Sequence, residues 1–193
     1  MRLINIGLGN ANSTVGAFTA NVDQCIDLAQ QMAAEHVTVA LFPEQIVGGY
    51  MPEDLIQWRG FVDGQWAELE RFAAATADLE MVSVLGAALL MDGLRYNCAV
   101  VVAGGEILGV VPKQKLPTYS IFYEIRTTSR GLPLETGQMN GAPFGDPIFQ
   151  FARMNRHAEV AHEMLARGMA YRCWATPEEL EAMRELAMKV KRP

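Results

Sequence analysis

The first eighty residues of the chain alternate between short apolar runs and amphipathic stretches. Residues 3–9, LINIGLG, and residues 37–42, VTVALF, are compact apolar runs that predict β-strands. Between them, residues 19–36 place Val22, Ile26 and Ala29 at the spacing of one helical face. A strand, a helix and a strand in this order predict a β-α-β unit, with two parallel strands and a right-handed crossover.

The next fifty residues continue the same two periods. Residues 63–79 predict a second amphipathic helix, with Trp66, Leu69 and Phe72 on one face. Three β-rich runs follow at residues 81–90, 95–103 and 106–113, and the turn signals MDG and GG separate them. We therefore expect a layered α/β domain.

The pattern changes near residue 128. Residues 127–147 are rich in glycine and proline and show no periodicity. Within this stretch we predict a linker over residues 132–146. Residues 151–168 and 176–193 then carry apolar side chains at helical spacing. We expect a domain over residues 1–131, the linker, and a small helical segment over residues 147–193.

Composition limits the classes of function. The chain has 193 residues, of which 50% are hydrophobic, and a net charge of -6, so it is neither a disordered protein nor a strongly cationic nucleic-acid binder. Its three cysteines, Cys25, Cys98 and Cys173, are widely spaced and form no Cys-x-x-Cys pair, which favours a reducing compartment. The opening residues show no signal peptide and no apolar run could span a bilayer, so we expect a cytoplasmic protein.

Two charged residues come directly after predicted strands. Glu44 follows the run that ends at Pro43, and Lys113 follows the run that ends at Pro112. The carboxyl ends of core strands are where open α/β folds keep their chemistry, and a lysine beside a glutamate can polarise a carbonyl while the carboxylate moves a proton. The alternative is that both side chains are ordinary solvated charges at strand ends.

A family resemblance favours the catalytic interpretation. The segments IGLGNANSTVGAFTANVD, LFPEQIVGGYMPEDL, RYNCAVVV and GVVPKQKLPTYSIFYEIRTTSRG lie in order within residues 1–131. They resemble the amino-terminal glutaminase domain of glutamine-dependent NAD synthetases, a branch of the nitrilase, or carbon-nitrogen hydrolase, superfamily. The resemblance implies the nitrilase α-β-β-α sandwich, of which this chain would hold part, and hydrolysis of the glutamine amide.

The same resemblance assigns roles to four residues and requires neither a cofactor nor a metal. The family uses a glutamate, a lysine and a nucleophilic cysteine that forms a thioester. By motif position, Glu44 corresponds to the general base and Lys113 to the lysine that stabilises the oxyanion. Glu124 corresponds to a second glutamate that orients the lysine, and Tyr119 to a residue of the glutamine pocket.

The nucleophile is where the sequence departs from the family. No segment of the Cys-Glu-Asp-x-Trp type follows Lys113, and the only cysteine after it is Cys173, in GMAYRCWATPEEL. Residues 144–188 resemble part of a bacterial glutamyl-tRNA synthetase, in which this cysteine begins a zinc-binding Cys-x-Cys pair. Ala175 occupies the second position here, so we expect no metal site.

These departures predict that the chain is a truncated glutaminase fused to a synthetase fragment. We expect its catalytic site to be incomplete, and whether it is an enzyme is left open. Cys173 is then a structural residue, and a replacement nucleophile is the alternative. The competing functions are a non-enzymatic interaction module and a fragment related to glutamyl-tRNA synthetase. The expected partners are glutamine, if the site is active, and further copies of the chain through sheet or helix faces, with no membrane or nucleic acid.

Overall fold

The computed structural model of the protein describes residues 4–120 and 122–146. The described residues all belong to one compact unit, which lies within Met1–Ala152. The predicted helical segment over residues 147–193, with Cys173, lies outside the described residues.

The elements follow one another in an order close to the prediction. In chain order they are β1 (Ile6–Leu8), α1 (Phe18–Ala34), β2 (Val39–Leu41), a 3-10 helix (Glu53–Gln57), α2 (Arg59–Ala75), β3 (Val82–Met91), β4 (Leu94–Ala103), β5 (Glu106–Pro112), β6 (Thr118–Tyr119), β7 (Phe122–Tyr123), a second 3-10 helix (Glu124–Arg126), β8 (Thr136–Met139) and β9 (Ala142–Gly145). No helix in this part of the chain is long and apolar enough to cross a membrane.

Seven of the strands form one mixed sheet in the order β1-β2-β3-β4-β5-β9-β8. Strands β1 and β2 are parallel, which confirms the predicted parallel pairing of the β-α-β unit. Strands β3, β4 and β5 form an antiparallel meander, and its turns place Gly93 and Gly105 at φ +80° and +83°. Glycine reaches this left-handed region without steric cost, so the turn signals of the sequence were well founded.

The linker predicted over residues 132–146 is wrong for the greater part of that stretch. Strands β8 and β9 form a hairpin there, and β9 joins the sheet by pairing with β5 at Val110 and Phe144. Phe144 is fully buried, with its ring 5.1 Å from that of Tyr96. The strands have four residues each, too few to show a period among so many glycines and prolines.

One face of the sheet packs against α1 and α2. Leu85 on β3 and Val100 on β4 are fully buried there, together with Leu69 and Phe72 of α2. Cys25 and Cys98 belong to the same core, where they pack as small hydrophobic residues. Burial raises the pKa of the Cys25 thiol to about 12 and also raises that of Cys98, so both thiols are unreactive at neutral pH.

The opposite face of the sheet carries an apolar row on its first strands. Leu8, Leu41, Val84 and Val101 are register partners across β1, β2, β3 and β4, so their side chains share this face. Leu8 is 75% exposed and Leu41 is 36% exposed. We call this row the open apolar face.

Candidate active site

Glu44 lies in a loop that leaves β2 and crosses β3. The Phe42 N–H donates to the Val84 carbonyl at 2.9 Å, and the Val47 N–H donates to the Gly86 carbonyl at 3.2 Å, so both ends of the loop are fixed to β3. A Cβ atom on Gly86 would lie 2.3 Å from the Gln45 nitrogen. The missing side chain of Gly86 therefore lets the backbone pass close enough to hold Glu44 above the sheet.

Lys113 comes directly after β5 and lies beside Asn97 of the neighbouring strand. Its backbone N–H donates to the Asn97 carbonyl at 2.8 Å. Strand β2 is parallel to β3, and β3 and β5 are both antiparallel to β4. Strands β2 and β5 therefore run in the same direction. The predicted neighbours do meet, since Lys113 Nζ lies 2.6 Å from Glu44 Oε1.

Glu124 reaches the same point through a closed loop. The chain leaves the sheet at Lys113 and returns at Gly131, whose N–H donates to the Lys113 carbonyl at 3.0 Å. Within this loop Glu124 opens the second 3-10 helix, and Lys113 Nζ donates to its Oε2 at 2.8 Å. Lys113 is thus held between two carboxylates, of which Glu124 is the more buried, with its side chain 16% exposed against 44% for Glu44.

The fourth member of this cluster, Asn97, was missed by the sequence analysis. Its Nδ2 group donates to Glu44 Oε1 and to Glu124 Oε1, and the residue is 3% exposed. A polar residue in the apolar strand run RYNCAVVV was the available signal, but a single amide carries no motif. We call Glu44, Asn97, Lys113 and Glu124 the ion-pair cluster.

The oxygens of the two carboxylates are used differently. Both oxygens of Glu124 accept hydrogen bonds, Oε1 from Asn97 and Oε2 from Lys113. Glu44 accepts both of its hydrogen bonds at Oε1. Among residues 4–120 and 122–146, no hydrogen-bond donor contacts Glu44 Oε2, so this oxygen can accept a proton from a bound molecule.

Lys113 is a stable cation in this setting. Partial burial acts to lower the pKa of Lys113, but its hydrogen bonds to Glu124 and Glu44 outweigh that effect and raise the pKa above its ordinary value. The side chain is therefore an ammonium group at neutral pH. It can stabilise a developing oxyanion but cannot act as a base.

A cavity of about 580 Å³ opens beside the cluster. Its wall is aromatic, and besides Glu44, Lys113 and Glu124 it includes Tyr50, Tyr119, Phe122, Tyr123, Glu53 and Arg126. Tyr119 is 68% exposed and its ring lies 5.7 Å from that of Phe122. The predicted residues Glu44, Lys113, Glu124 and Tyr119 thus line one cavity, while Cys173 lies outside the described residues.

A second cavity, of about 620 Å³, also borders the cluster. It shares Glu44 and Lys113 with the first cavity, and the sheet residues Val84, Gly86 and Val111 line it. The ion pair therefore borders two cavities. No group of three or more His, Cys, Asp or Glu side chains in the described part of the chain could hold a metal ion.

The chain resembles known proteins in sequence and in fold. A family model described as carbon-nitrogen hydrolase matches residues 5–174. The glutamine-dependent NAD(+) synthetase of Mycobacterium tuberculosis is 38% identical over 120 residues, which cover 62% of this chain and 18% of that protein. The solved glutamine-dependent NAD(+) synthetase of Cytophaga hutchinsonii superposes with a TM-score of 0.70 and 26% identity, over 74% of this chain and 25% of that one.

These matches confirm the predicted nitrilase-like α/β fold. The chain spans about a fifth of the length of the curated NAD synthetase from M. tuberculosis. A further relative, glutamate–tRNA ligase 2 of Rhodospirillum centenum, is 80% identical over 41 residues, or 21% of this chain and 9% of that protein. The family model leaves residues 1–4 and 175–193 unmatched. These are fewer than the 41 residues that match the ligase, so the two matches overlap.

Proposed function

The chain belongs to the carbon–nitrogen hydrolase family, and on that premise we propose that its aromatic cavity is an amidohydrolase site for the side-chain amide of glutamine. The observation that carries the proposal is the position of Lys113 Nζ between Glu44 and Glu124 at the base of this cavity. The similarity to glutamine-dependent NAD(+) synthetases favours glutamine as the amide and NAD biosynthesis as the setting.

The cluster supplies two of the three functions that amide hydrolysis through a thioester needs. Glu44 Oε2, which no donor in the described residues contacts, takes the proton of a nucleophilic thiol, and the thiolate attacks the amide carbon. Lys113 stabilises the oxyanion that forms on the carbonyl oxygen. Glu44 then returns the proton to the leaving nitrogen, which departs as ammonia, and a water activated by the same carboxylate hydrolyses the thioester.

The third function, the nucleophile, limits the proposal. In the sequence the only cysteine after Lys113 is Cys173, and the segment around it differs from the Cys-Glu-Asp-x-Trp type. Cys25 and Cys98 are buried in the core and have raised pKa values, so neither supplies the thiolate. We therefore propose that this chain binds the amide but does not turn it over at a measurable rate.

The similarity to a glutamate–tRNA ligase favours a second candidate. An 80% identical stretch of 41 residues is consistent with residues 147–193 being a separate segment of different origin. In that case the chain is a chimeric remnant that acts as an interaction module. The two candidates differ in whether the aromatic cavity recognises an amide.

The test measures binding and turnover separately. We expect glutamine to perturb the NMR signals of Tyr119 and Tyr123 in a saturable manner, because both rings line the cavity. Lys113→Met should weaken this binding by at least tenfold, whereas Lys115→Met, which changes an exposed lysine outside the cavity, should not. A coupled assay should detect no ammonia above that of Glu44→Gln.

Two results would contradict the proposal in different ways. If glutamine, asparagine and acetamide all failed to perturb the cavity signals, the amide site would be refuted and the interaction module favoured. If ammonia were released by the wild type and lost in Glu44→Gln, the site would be a complete amidohydrolase, and the claim that no nucleophile is available would be wrong.

A further inference from the structure

We infer that Asn97 is a positioning residue of this site, which selects the oxygen of Glu44 that acts as the base. The inference rests on the proposed function for its catalytic meaning. Its physical content is independent of turnover, because it concerns which atoms of the ion-pair cluster are engaged before any substrate binds.

The first argument is the use of donors within the cluster. One amide group donates its two Nδ2 hydrogens to two different carboxylates, Glu44 and Glu124, and both bonds end at an Oε1 atom. Lys113 adds a second hydrogen bond to Glu44 Oε1 and one to Glu124 Oε2. Without Asn97, the Lys113 ammonium would be the one hydrogen-bond donor to Glu44 among residues 4–120 and 122–146, and the Glu44 carboxylate could rotate to present either oxygen to it.

The second argument is charge. Two carboxylates and one ammonium give the cluster one excess negative charge when all three are ionised. An arginine or lysine at position 97 would also donate hydrogen bonds, but it would neutralise that charge. An asparagine supplies two donors without a charge, so it fixes the geometry and leaves the charge of the cluster unchanged.

The third argument is rigidity. Asn97 lies within β4, where Ala88 of β3 is its register partner on one side and its carbonyl accepts the Lys113 N–H on the other. The residue is 3% exposed, so its side chain has little room to change conformation. Glu44 and Glu124 both come from loops, and a donor fixed in the sheet gives these loops a common reference point.

The test uses the full chain and side-chain NMR. In the wild type, the two Nδ2 protons of Asn97 should respond separately, one signal shifting in Glu44→Gln and the other in Glu124→Gln. In Asn97→Ala, the carboxyl carbon of Glu44 should show a changed NMR signal and, by relaxation, increased motion, because the carboxylate loses the donor that holds its Oε1 atom. Asn97→Ser provides a milder variant should Asn97→Ala fold poorly.

Asn21 offers a matched control. It is 1% exposed and its Nδ2 group also bridges two acceptors, but these are the carbonyls of Thr14 and Val47. Asn21→Ala should reduce stability without changing the Glu44 carboxyl signal or its relaxation. If Asn97→Ala and Asn97→Ser left that signal and its relaxation unchanged while reducing stability as Asn21→Ala does, Asn97 would have only a structural role and the inference would be wrong.

The outcomes separate this inference from the proposed function. A changed Glu44 carboxyl signal and relaxation in the Asn97 variants, in a protein that binds no amide, would support the positioning role and refute the proposed function. Amide binding, with the Glu44 carboxyl signal and relaxation unchanged in those variants, would support the proposed function and refute the positioning role.

Discussion

Replacing Gly86 by alanine should damage both the sheet and the ion-pair cluster. The added Cβ would lie 2.3 Å from the Gln45 nitrogen, 2.6 Å from the Pro43 oxygen and 2.7 Å from the Glu44 carbonyl carbon. All three are backbone atoms, which cannot turn aside as the end of a flexible side chain can. Relieving such overpacking costs about 2–3 kcal/mol in folding free energy. For a chain of this size that corresponds to a melting temperature lower by about 4–12 °C.

The expected displacement is directed at the site. The loop must move away from β3, which carries Glu44 away from Lys113 and lengthens the contact that is 2.6 Å in the native protein. The raised pKa of Lys113 depends in part on that contact. We therefore expect the Lys113 pKa, followed by NMR, to fall toward its ordinary value in Gly86→Ala.

Gly60→Ala is the matched control. Gly60 lies in the first turn of α2, and a Cβ atom there would have no heavy atom within 4 Å. Alanine is the better helix former, so this change should raise stability by about 0.5–1 kcal/mol and leave the Lys113 pKa unchanged. Thermal and urea unfolding measure both variants. A Gly86→Ala protein as stable as Gly60→Ala, with the Lys113 pKa unaltered, would refute the account of the loop crossing.

Three other predictions concern the cluster, the open apolar face and the remaining cysteine. Lys113→Met should lower the free energy of unfolding by about 1–2 kcal/mol at pH 7, a value reduced for the partial exposure of the pair. Because the pKa of Lys113 is raised in the folded state, this difference from the wild type should persist below pH 10.5 and shrink as the pH rises through the folded pKa. Lys115→Met should show neither effect. We expect the wild type to associate through the open apolar face, on which Leu8 is 75% exposed, so Leu8→Lys should shift the protein toward the monomer in light scattering. Gln30→Lys, on the exposed side of α1, should not. A wild type that is already monomeric would contradict association through this face. Iodoacetamide at neutral pH should label Cys173 slowly. The other two cysteines are buried, so they should not contribute to the labelling. Rapid labelling that is lost in Lys113→Ala would identify Cys173 as a nucleophile instead.

The parts of the fold that the sequence predicted are those with long, regular patterns. Helix α1 and the ten-residue strands β3 and β4 each repeat their period several times, so local residue types were sufficient to place them. The hairpin of β8 and β9 was missed because its apolar residues acquire their meaning from β5, which precedes them by about thirty residues. Phe144 is buried only because Val110 lies beside it in the sheet, and no local pattern carries that information.

The site shows the same limit at the level of single atoms. Glu44 and Lys113 could be paired from sequence, because each ends a strand and the strands run in one direction. Asn97 could not be added, because its two acceptors come from loops 53 residues before it and 27 residues after it. The difference between the two glutamates also depends on Asn97. Both oxygens of Glu124 accept hydrogen bonds, whereas at Glu44 no donor in the described residues contacts Oε2. Motif position names both residues, but only the geometry of the donors distinguishes their oxygens.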